Sequence, residues 1–413
     1  MSMPTAAKFE SSRTTDVRIA VVGAGIGGLA AAAFLERSGH EIHVFEAARQ
    51  LGEVGAGIQI SPNGSRLIER LGRGDALAAI GTTPSRVVIR RWQDDRQLSQ
   101  TPLGSKALER WGAPYYNVYR PDMIEVLRGA CATTEFHLGR RVAGIDGEST
   151  RPTLVFEDHT RFSADLVVGA DGIHSRIRHA LFGEQPTRFS GWVAYRALVP
   201  RSEVLDLEVE VTNRLGPDAH IVSYFVGRHQ RFLNLVCISH DPDWSIESWN
   251  EPGDKGALLA RFTSWSPTVR SILGSVDPAV FRWALHDRQP LPKWSRGAVT
   301  LLGDSAHPMV PFMAQGACQA IEDAAVLDRA INETADVKNA LALYESARRP
   351  RTANIQGRSF ANATIFHFAD GPEQKDRDAT YAKVSALGDG ALANFDWLYD
   401  FDAMREPWPT IDG

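Results

Sequence analysis

The segment Val17–Gly28, with the sequence VRIAVVGAGIGG, joins a short apolar run to a glycine-rich turn. The apolar run predicts a buried β-strand, and the alanine-rich residues Leu29–Ser38 predict a helix that packs on a sheet. Between them, Gly23 permits a tight turn, Gly25 lets the backbone approach a pyrophosphate, and Gly28 allows close packing of helix on strand. The segment therefore predicts a βαβ unit that binds a dinucleotide at the helix N-terminus.

The second strand of this unit ends on a carboxylate. Ile42–Phe45 is the apolar run after the helix, and Glu46 follows it, eighteen residues after Gly28. A carboxylate at that place can accept both hydroxyl groups of an adenosine ribose, and it disfavours a 2′-phosphate. The motif alone does not separate FAD from NAD. It occurs once in the chain, so one dinucleotide is held in this way.

Two further glycine–aspartate segments follow the first motif. Asp165–Gly172, DLVVGADG, lies near the middle of the chain, and Leu301–Pro308, LLGDSAHP, lies towards the C-terminus. Each begins with an apolar run that predicts a buried strand. The run Met313–Ala325, MAQGACQAIEDAA, then predicts a helix from about Gly316. The N-terminus of that helix would favour negative charge beside it.

Together these segments resemble the FAD-dependent aromatic hydroxylases, the flavoprotein monooxygenases of the p-hydroxybenzoate hydroxylase fold. The resemblance is nearest to the branch of salicylate hydroxylase and 6-hydroxynicotinate 3-monooxygenase, and Ser190–Leu198 and Leu291–Gly297 extend it over most of the chain. It implies an α/β fold. A discontinuous, Rossmann-like FAD-binding domain would contain an inserted antiparallel β-sheet substrate domain, and a C-terminal helical segment would follow.

The predicted domain boundaries follow the change in sequence character. Residues 187–285 are rich in β-branched and aromatic runs and predict the inserted sheet, with short helices within 241–270. The predicted division is a flexible N-terminus at 1–16, an FAD-binding domain at 17–90, 119–184 and 286–345, a substrate-binding domain at 91–118 and 185–285, and a C-terminal helical segment at 346–413.

The resemblance also implies the cofactor contacts. Asp171 would lie near the pyrophosphate and serve both FAD and the nicotinamide nucleotide, and Asp304 would bind the ribityl chain. The helix from Gly316 would point its N-terminus at the flavin N1–C2=O edge, where reduced flavin is anionic. The predicted FAD-binding residues are Gly23, Gly25, Gly28, Glu46, Arg49, Arg120, Asp171, Gly172, Gly303, Asp304, Gly316 and Ala317, and no metal ligand is predicted.

The reaction implied by the resemblance is a ring hydroxylation. NADH or NADPH, bound transiently, reduces FAD, O2 adds to form a flavin C4a-hydroperoxide, and a hydroxyl group passes to an electron-rich ring. The predicted substrate is a small hydroxylated aromatic or heteroaromatic acid, salicylate-like or 6-hydroxynicotinate-like. His220 and Tyr224 match a substrate-pocket pair of the hydroxynicotinate enzymes, and their spacing places both on one strand face. A neutral His220 would accept the ring hydroxyl proton.

Two positions depart from the hydroxynicotinate pattern. Gln59 stands where those enzymes carry a pocket histidine, in the glycine loop Gly55–Asn63, and Val211 stands where they carry a cysteine. An amide can hydrogen-bond but cannot act as a base. A benzoate-type acid and another heteroaromatic ring therefore stay open as substrates, as does release of CO2. The predicted catalytic set is His220, Tyr224, Gln59 and Pro308.

The composition of the chain limits the kinds of partner that it can bind. The 413 residues carry a formal net charge of −5, which disfavours a general nucleic-acid binder. The cysteines form no CxxC or Cys/His cluster, which argues against a disulfide framework or a metal. No stretch approaches about 18 apolar residues, and residues 1–16 lack a signal-peptide core. A cytoplasmic monomer or homodimer is expected, with a small aromatic substrate, NAD(P)H and O2 as partners and with no membrane contact.

Two other functions stay open beside the aromatic hydroxylase. One is an epoxidase or tailoring hydroxylase that acts on a larger apolar substrate, and the other is a flavin-binding protein without turnover. A pure NAD dehydrogenase is disfavoured because it does not require the Gly303–Asp304 segment.

Some residues outside the glycine motifs also carry expectations. Arg348–Arg351, RRPR, predicts a solvated helix end, and Cys318 is interpreted as a small packing residue. The residues expected to wall the substrate pocket are Met309, Pro311, Phe312 and Met313, and those expected in the core are Trp244, Trp249 and Trp265.

Overall fold

The structure is a computed structural model that describes residues 17–52, 56–147, 151–244, 251–277 and 279–410. Within these ranges the chain forms a six-stranded sheet, an eight-stranded sheet and two small sheets. We call the first the cofactor sheet and the second the large sheet. Gly55 and Trp249, which the sequence analysis singled out, lie outside the described residues.

The cofactor sheet is built around the N-terminal strand, Arg18–Val22. This strand pairs in parallel with Glu41–Glu46 on one side and Leu166–Gly169 on the other, which confirms the predicted βαβ unit. Its central strands are apolar on both faces because both faces are covered: helices such as Ile26–Arg37 pack on the sheet, and Phe156 and Phe162 of a small sheet pack on Phe45. From one edge to the other the strands are Ser295–Arg296, Val299–Leu301, Leu166–Gly169, Arg18–Val22, Glu41–Glu46 and Glu135–Leu138.

The large sheet is the predicted β-sheet insertion. Its neighbours are antiparallel except for Arg86–Arg91 and Val211–Gly216, which pair in parallel. The predicted boundary at residues 90 and 91 therefore falls inside a strand of this sheet. From edge to edge the strands are Pro252–Gly253, Val280–Asp287, Arg188–Pro200, Phe232–His240, Ala219–Val226, Val211–Gly216, Arg86–Arg91 and Gln97–Pro102.

The two faces of the large sheet have different neighbours. Along Ala219–Val226, side chains alternate between the faces, as the pleat requires. Ile221 and Phe225 pack in a core with the helices Lys255–Arg261 and Pro267–Gly274. His220 and Tyr224, on the opposite face, line a cavity. In one small sheet Thr153–Phe156 lies between Val142–Asp146 and Arg161–Ser163 and pairs with both. In the other, Gly57–Ile60 pairs with Tyr116–Tyr119.

The helices surround these sheets. Those on the cofactor side are Ile26–Arg37, Pro62–Arg70, Gly74–Ile80, Ser105–Trp111, Arg120–Arg128, Arg176–Phe182 and Gly316–Glu333. The C-terminal ones are Val337–Ile365, Pro372–Ser385 and Asp396–Tyr399. Among the described helices, none is both long enough and apolar enough to cross a bilayer.

The arginine-rich segment is not a solvated helix end, and this prediction was wrong. Pro350 lies inside the helix Val337–Ile365, and Arg348 is fully buried. The Arg348 guanidinium lies 2.5 Å from a carboxylate oxygen of Glu322 and 2.7 Å from one of Asp323. Two buried carboxylates on the neighbouring helix hold the arginine inside, because a buried charge requires a partner.

Trp265, Trp244 and Cys318 differ in how deeply they are buried. Trp265 is buried beside Phe262, which confirms its place in the core, whereas Trp244 is half-buried and stacks on Arg282. Cys318 is fully buried, and burial raises the pKa of its thiol to about 11. A thiol that stays protonated is a packing group, as predicted.

Candidate active site

A cavity of about 1530 Å³ lies between the cofactor sheet and the large sheet. Its wall combines the three glycine segments with side chains of the large sheet and of the C-terminal segment. A pocket for one small ligand typically holds roughly 300–1,000 Å³. The cavity therefore has room for a dinucleotide and an aromatic molecule side by side.

The first glycine turn leaves no room for a side chain at Gly23 or Gly28. Gly23 has a φ of +101°, and a Cβ on it would lie 2.4 Å from the Ala170 carbonyl oxygen. A Cβ on Gly28 would lie 1.9 Å from the Gly23 carbonyl oxygen. Gly23 and Gly25 line the cavity, whereas Gly28 packs behind them. The helix Ile26–Arg37 has no side-chain cap, so its first N–H groups are available to a phosphate.

Glu46 lines the cavity at the end of its strand, where the ribose was expected. Its two carboxylate oxygens accept hydrogen bonds from the Ala24 and Ala48 N–H groups, each at 2.8 Å. Each oxygen keeps further acceptor capacity for hydroxyl groups. Arg49 is exposed and lies outside the cavity wall, where Arg140 and Arg141 stand instead. The contact predicted for Arg49 has no support in this geometry.

Asp171 holds its loop against the cavity by capping a helix. The carboxylate accepts hydrogen bonds from the Ser175 hydroxyl at 2.5 Å and from the Arg176 and Ile177 N–H groups. Burial raises the pKa of Asp171, while these hydrogen bonds act in the opposite direction. Gly172 follows with a φ of +74°, and both residues line the cavity.

Asp304 and Arg120 both line the cavity, and they come from distant parts of the chain. Asp304 is open to the cavity, and its position inside the protein, away from bulk water, raises the pKa of this carboxyl. His307 and Arg120 lower that pKa. Arg120 begins the helix Arg120–Arg128, and burial lowers the pKa of its guanidinium. A carboxylate open to the cavity beside a cationic arginine suits a polyhydroxylated chain linked to phosphates.

The helix Gly316–Glu333 begins at the cavity. Gly316 and Ala317 line the wall, and no side chain caps this helix, so its N-terminal partial charge faces the cavity. Gly303 also lines the wall, with a φ of +64°. The helix begins at Gly316, as the sequence predicted, and its position at the flavin N1–C2=O edge stays a prediction.

A buried network holds the second turn of that helix. Asp323 accepts hydrogen bonds from the Gly303 N–H at 2.9 Å and from Arg348, and its other contact is His307 Nε2 at 2.6 Å. Arg351 reinforces Glu322 at 2.7 Å. His307 and Arg348 outweigh burial and lower the pKa of Asp323 to about 2. The network ties the turn at Gly303 to the long C-terminal helix Val337–Ile365.

Pro308 lies beside the cavity and not in its wall. The residue is buried, and its carbonyl accepts a hydrogen bond from Gln356 Nε2 at 2.9 Å. The catalytic contact predicted for Pro308 therefore has no support in this geometry. The expected wall residues Met309, Pro311, Phe312 and Met313 do line the cavity.

His220 and Tyr224 share the cavity-facing side of their strand, as their spacing predicted. Burial and the nearby His367 hold the pKa of His220 well below its usual value, so the ring is neutral. Burial raises the pKa of Tyr224 well above its usual value, so its hydroxyl group stays protonated. Gln59 also lines the cavity, with its Nε2 3.4 Å from Asn117 Oδ1. These side chains can donate and accept hydrogen bonds around a bound ring.

The cavity also contains groups that the sequence analysis did not assign. Arg196 lines it with its guanidinium 4.0 Å from the Trp283 ring centroid, and burial lowers the pKa of Arg196 to about 9. Tyr399, from the C-terminal segment, closes another part of the wall. Arg196 sits in the segment Ser190–Leu198 that carried the family resemblance, so a signal for it was present.

A cluster of metal-binding residue types lies away from the cavity wall. One ligand atom from each of His43, Glu135 and His137 falls within 4.8 Å of the others, a spacing that could hold a metal ion. Pairing of two strands brings these distant residues together. Glu41 accepts a hydrogen bond from His43 Nε2 at 2.9 Å. Sequence spacing alone gave no sign of this cluster.

The sequence is similar to a family of FAD-binding proteins and to individual aromatic-ring monooxygenases. The FAD binding domain family matches residues 15–359. The 3-amino-4-hydroxybenzoate 2-monooxygenase of Streptomyces platensis is 40% identical over 94% of this chain and 96% of its own length. The 6-hydroxynicotinate 3-monooxygenase of Bordetella bronchiseptica is 34% identical over the same shares.

Solved structures agree in fold. Klebsiella pneumoniae HpxO complexed with FAD and uric acid has a TM-score of 0.80 and 29% identity, over 91% of this chain and 95% of that one. A salicylate hydroxylase substrate complex has a TM-score of 0.77 and 26% identity, over 94% and 96%. The glycine cradle, the uncapped helix ends and Asp304 fit an FAD molecule. The chain binds FAD and belongs to the FAD-dependent aromatic hydroxylases, the group A flavoprotein monooxygenases.

Proposed function

We propose that this enzyme uses NAD(P)H and O2 to hydroxylate a small aromatic acid that carries a ring hydroxyl group. The observation that supports this is a shared cavity, which is lined both by the FAD motifs and by His220, Tyr224 and Arg196. Salicylate, 6-hydroxynicotinate and 3-amino-4-hydroxybenzoate are acids of this kind. The last two are named in relatives that match nearly the whole chain.

Arg196 is the group that favours an acid. Its pKa of about 9 leaves the guanidinium charged at neutral pH, although the cavity wall removes much of its hydration. A buried cation is stabilised by an anionic partner, which a substrate carboxylate would supply. The same group counts against the alternative of a large apolar substrate, because such a substrate offers no negative charge to a guanidinium in the cavity wall.

His220 is the group that favours a ring hydroxyl. Its neutral imidazole can take a proton from a phenol-type hydroxyl group and leave the oxygen electron-rich, which makes the ring a better nucleophile. Tyr224, which stays protonated, can donate a hydrogen bond to the substrate. When bound and reduced, FAD supplies the oxygen-activating chemistry, while these side chains bind the ring, orient it and hold its proton.

The test is oxidation of NADH and NADPH by the FAD-loaded enzyme in the presence of 3-amino-4-hydroxybenzoate, 6-hydroxynicotinate, salicylate and 3-hydroxybenzoate, with products identified by mass. We expect one acid to stimulate oxidation and to gain one oxygen atom, and loss of CO2 would show in the same mass. The variant His220→Asn should keep its FAD and its reduction by NADH but form product about 10²–10⁴ times more slowly. NADH oxidation with hydrogen peroxide as its only product for every acid would contradict the proposal.

A further inference from the structure

His220 does not stand alone in the cavity wall. Its Nδ1 lies 2.7 Å from Nε2 of His367, a buried residue just after the end of the long helix Val337–Ile365. The Nδ1 of His367 in turn lies 2.5 Å from the carbonyl oxygen of Ala363. Two imidazole rings and a backbone carbonyl thus form a continuous chain of hydrogen bonds that begins at the cavity.

The direction of this chain follows from its last member. A carbonyl oxygen only accepts hydrogen bonds, so Nδ1 of His367 must carry a hydrogen. A neutral imidazole has one N–H, so Nε2 of His367 accepts, and the hydrogen between the rings belongs to Nδ1 of His220. The remaining nitrogen of His220, Nε2, then carries a lone pair and is the one left for a molecule in the cavity.

Both rings are neutral at the pH where such an enzyme works. Burial holds the pKa of His220 well below its usual value and lowers the pKa of His367 to about 4. The charged and titratable groups around His367 are Arg377, His240 and Arg261, and all of them oppose a further positive charge. The other neighbours of His220 are the rings of Phe312 and Phe366, which add no charge.

The ring of His367 is held in place by two neighbouring groups. Its ring stacks on Trp192, with centroids 3.7 Å apart and planes 19° from parallel. The backbone carbonyl and the indole together leave the ring little freedom to rotate or flip. A ring held in this way can impose its own hydrogen-bond direction on His220.

We propose that His367 is a positioning residue that holds His220 in the Nδ1–H tautomer and thereby makes Nε2 the acceptor of the substrate's hydroxyl proton. This inference rests on the proposed function for its catalytic part. In the step, the O–H bond of the substrate breaks and its electron pair stays on oxygen, while the lone pair of Nε2 forms the new N–H bond. The imidazolium then donates from Nδ1 to neutral His367, and Nε2 returns the proton when the product leaves.

Two substitutions separate this role from simple packing. His367→Phe keeps an aromatic ring against Trp192 but removes the acceptor for Nδ1 of His220. His367→Gln places an amide oxygen near the position of Nε2, so it can still accept that hydrogen bond. His240→Phe is the matched control, because His240 also contacts Trp192 and is exposed.

The first measurement needs no substrate. In FAD-loaded protein labelled with ¹⁵N in its histidine rings, NMR should show His220 with hydrogen on Nδ1 and a lone pair on Nε2, with signals assigned by their loss in His220→Asn. His367→Gln and His240→Phe should keep this pattern, and His367→Phe should lose it. Hydrogen on Nε2 of His220 in the wild-type protein would overturn the proposal, whatever the substrate.

The second measurement uses 3-amino-4-hydroxybenzoate as the probe and follows product formation against pH. We expect His367→Phe to lower kcat/KM by about tenfold or more, while His367→Gln stays within about threefold of the wild type. An unchanged rate and pH profile in His367→Phe would overturn the catalytic part. If no aromatic acid is turned over, the proposed function fails, and the NMR result alone decides the tautomer assignment.

Discussion

The cofactor end of the cavity is built on glycine turns and helix ends with charged side chains beside them, whereas the substrate end depends on side chains from separate elements. At the cofactor end, Gly23 and Gly25 bring N–H groups and a helix terminus to the surface, and a Cβ on Gly23 would meet a carbonyl oxygen. At the substrate end, His220, Arg196 and Tyr399 come from two strands and the C-terminal segment. The first end depends on local backbone geometry, and the second depends on how distant parts of the chain pack together.

The largest expected effect tests the backbone at the cofactor end. In Gly28→Ala the new Cβ would lie 1.9 Å from the Gly23 carbonyl oxygen, so the glycine turn must move. We expect the purified variant to lack FAD, measured as flavin absorbance per mole of protein. Gly357→Ala, on an exposed part of the long helix where a Cβ meets nothing within 4 Å, should remain fully yellow. A fully loaded Gly28→Ala enzyme would show that the turn is not closely packed.

The next effect tests whether the cofactor end also depends on distant side chains. Arg348→Met removes the cation between Glu322 and Asp323, and breaking such a buried pair costs about 3–5 kcal/mol. The free energy of unfolding of FAD-loaded protein, measured in urea, should fall by that amount. Arg349→Met, one position along and exposed, should change it by less than about 1 kcal/mol.

The same network sets a pH dependence of stability. The pKa of Asp323 is about 2 in the folded protein, below the ordinary value of 3.8. Its contribution is therefore fully present above about pH 4 and is lost as the pH falls towards 2. Arg348→Met should flatten the loss of stability over this window. Equal slopes in the two proteins would mean that Arg348 is not what lowers the pKa.

Most of the fold and the cofactor end could be predicted from the sequence, and the reason is physical. A glycine turn, a strand-end carboxylate and an uncapped helix N-terminus all act within a few residues, so Gly23, Glu46 and Gly316 carry their meaning in their local pattern. The βαβ unit and the inserted sheet follow from hydrophobic periodicity in the same way. Arg49 and Pro308 were less secure, because a resemblance places a residue in a segment without placing its side chain.

The substrate end could be predicted only in part. His220 and Tyr224 were found because they match a substrate-pocket pair of the hydroxynicotinate enzymes, and their spacing of four places both on one face of a strand. His367 was not found, because it is 147 positions from His220 in the sequence and follows a helix that carries no recognisable motif. Arg348 was misjudged for the same reason: an arginine-rich run is usually solvated, and only packing against Glu322 and Asp323 reverses that preference. Long-range ion pairs leave no periodic signal in a sequence.

A smaller effect tests the charge at the substrate end. Arg196→Gln should raise KM for the aromatic acid by roughly tenfold to a hundredfold, since a hydrogen bond to a charged group contributes about 1.5–3 kcal/mol. FAD content should stay that of the wild type. The matched phenol without a carboxylate should lose nothing from the substitution. In the wild type, acid binding should weaken as the pH rises through about 9, where Arg196 loses its charge. If KM rose equally for the acid and the phenol, Arg196 would not contact the substrate carboxylate.

The smallest expected effect concerns which ring the pocket prefers. Gln59 is buried in the cavity wall, and its amide lies 3.4 Å from the Asn117 side-chain oxygen. In Gln59→His, an imidazole that donates to Asn117 would turn an acceptor nitrogen towards the cavity, where a hydroxypyridine in its lactam form offers an N–H donor. One added neutral hydrogen bond contributes about 1 kcal/mol, so kcat/KM for 6-hydroxynicotinate relative to 3-amino-4-hydroxybenzoate should rise about fivefold. An unchanged ratio would mean that the side chain at position 59 does not hydrogen-bond to the ring nitrogen of the substrate. Ring preference would then depend on the strand that carries His220 and Tyr224, where a sequence pattern first indicated a substrate site.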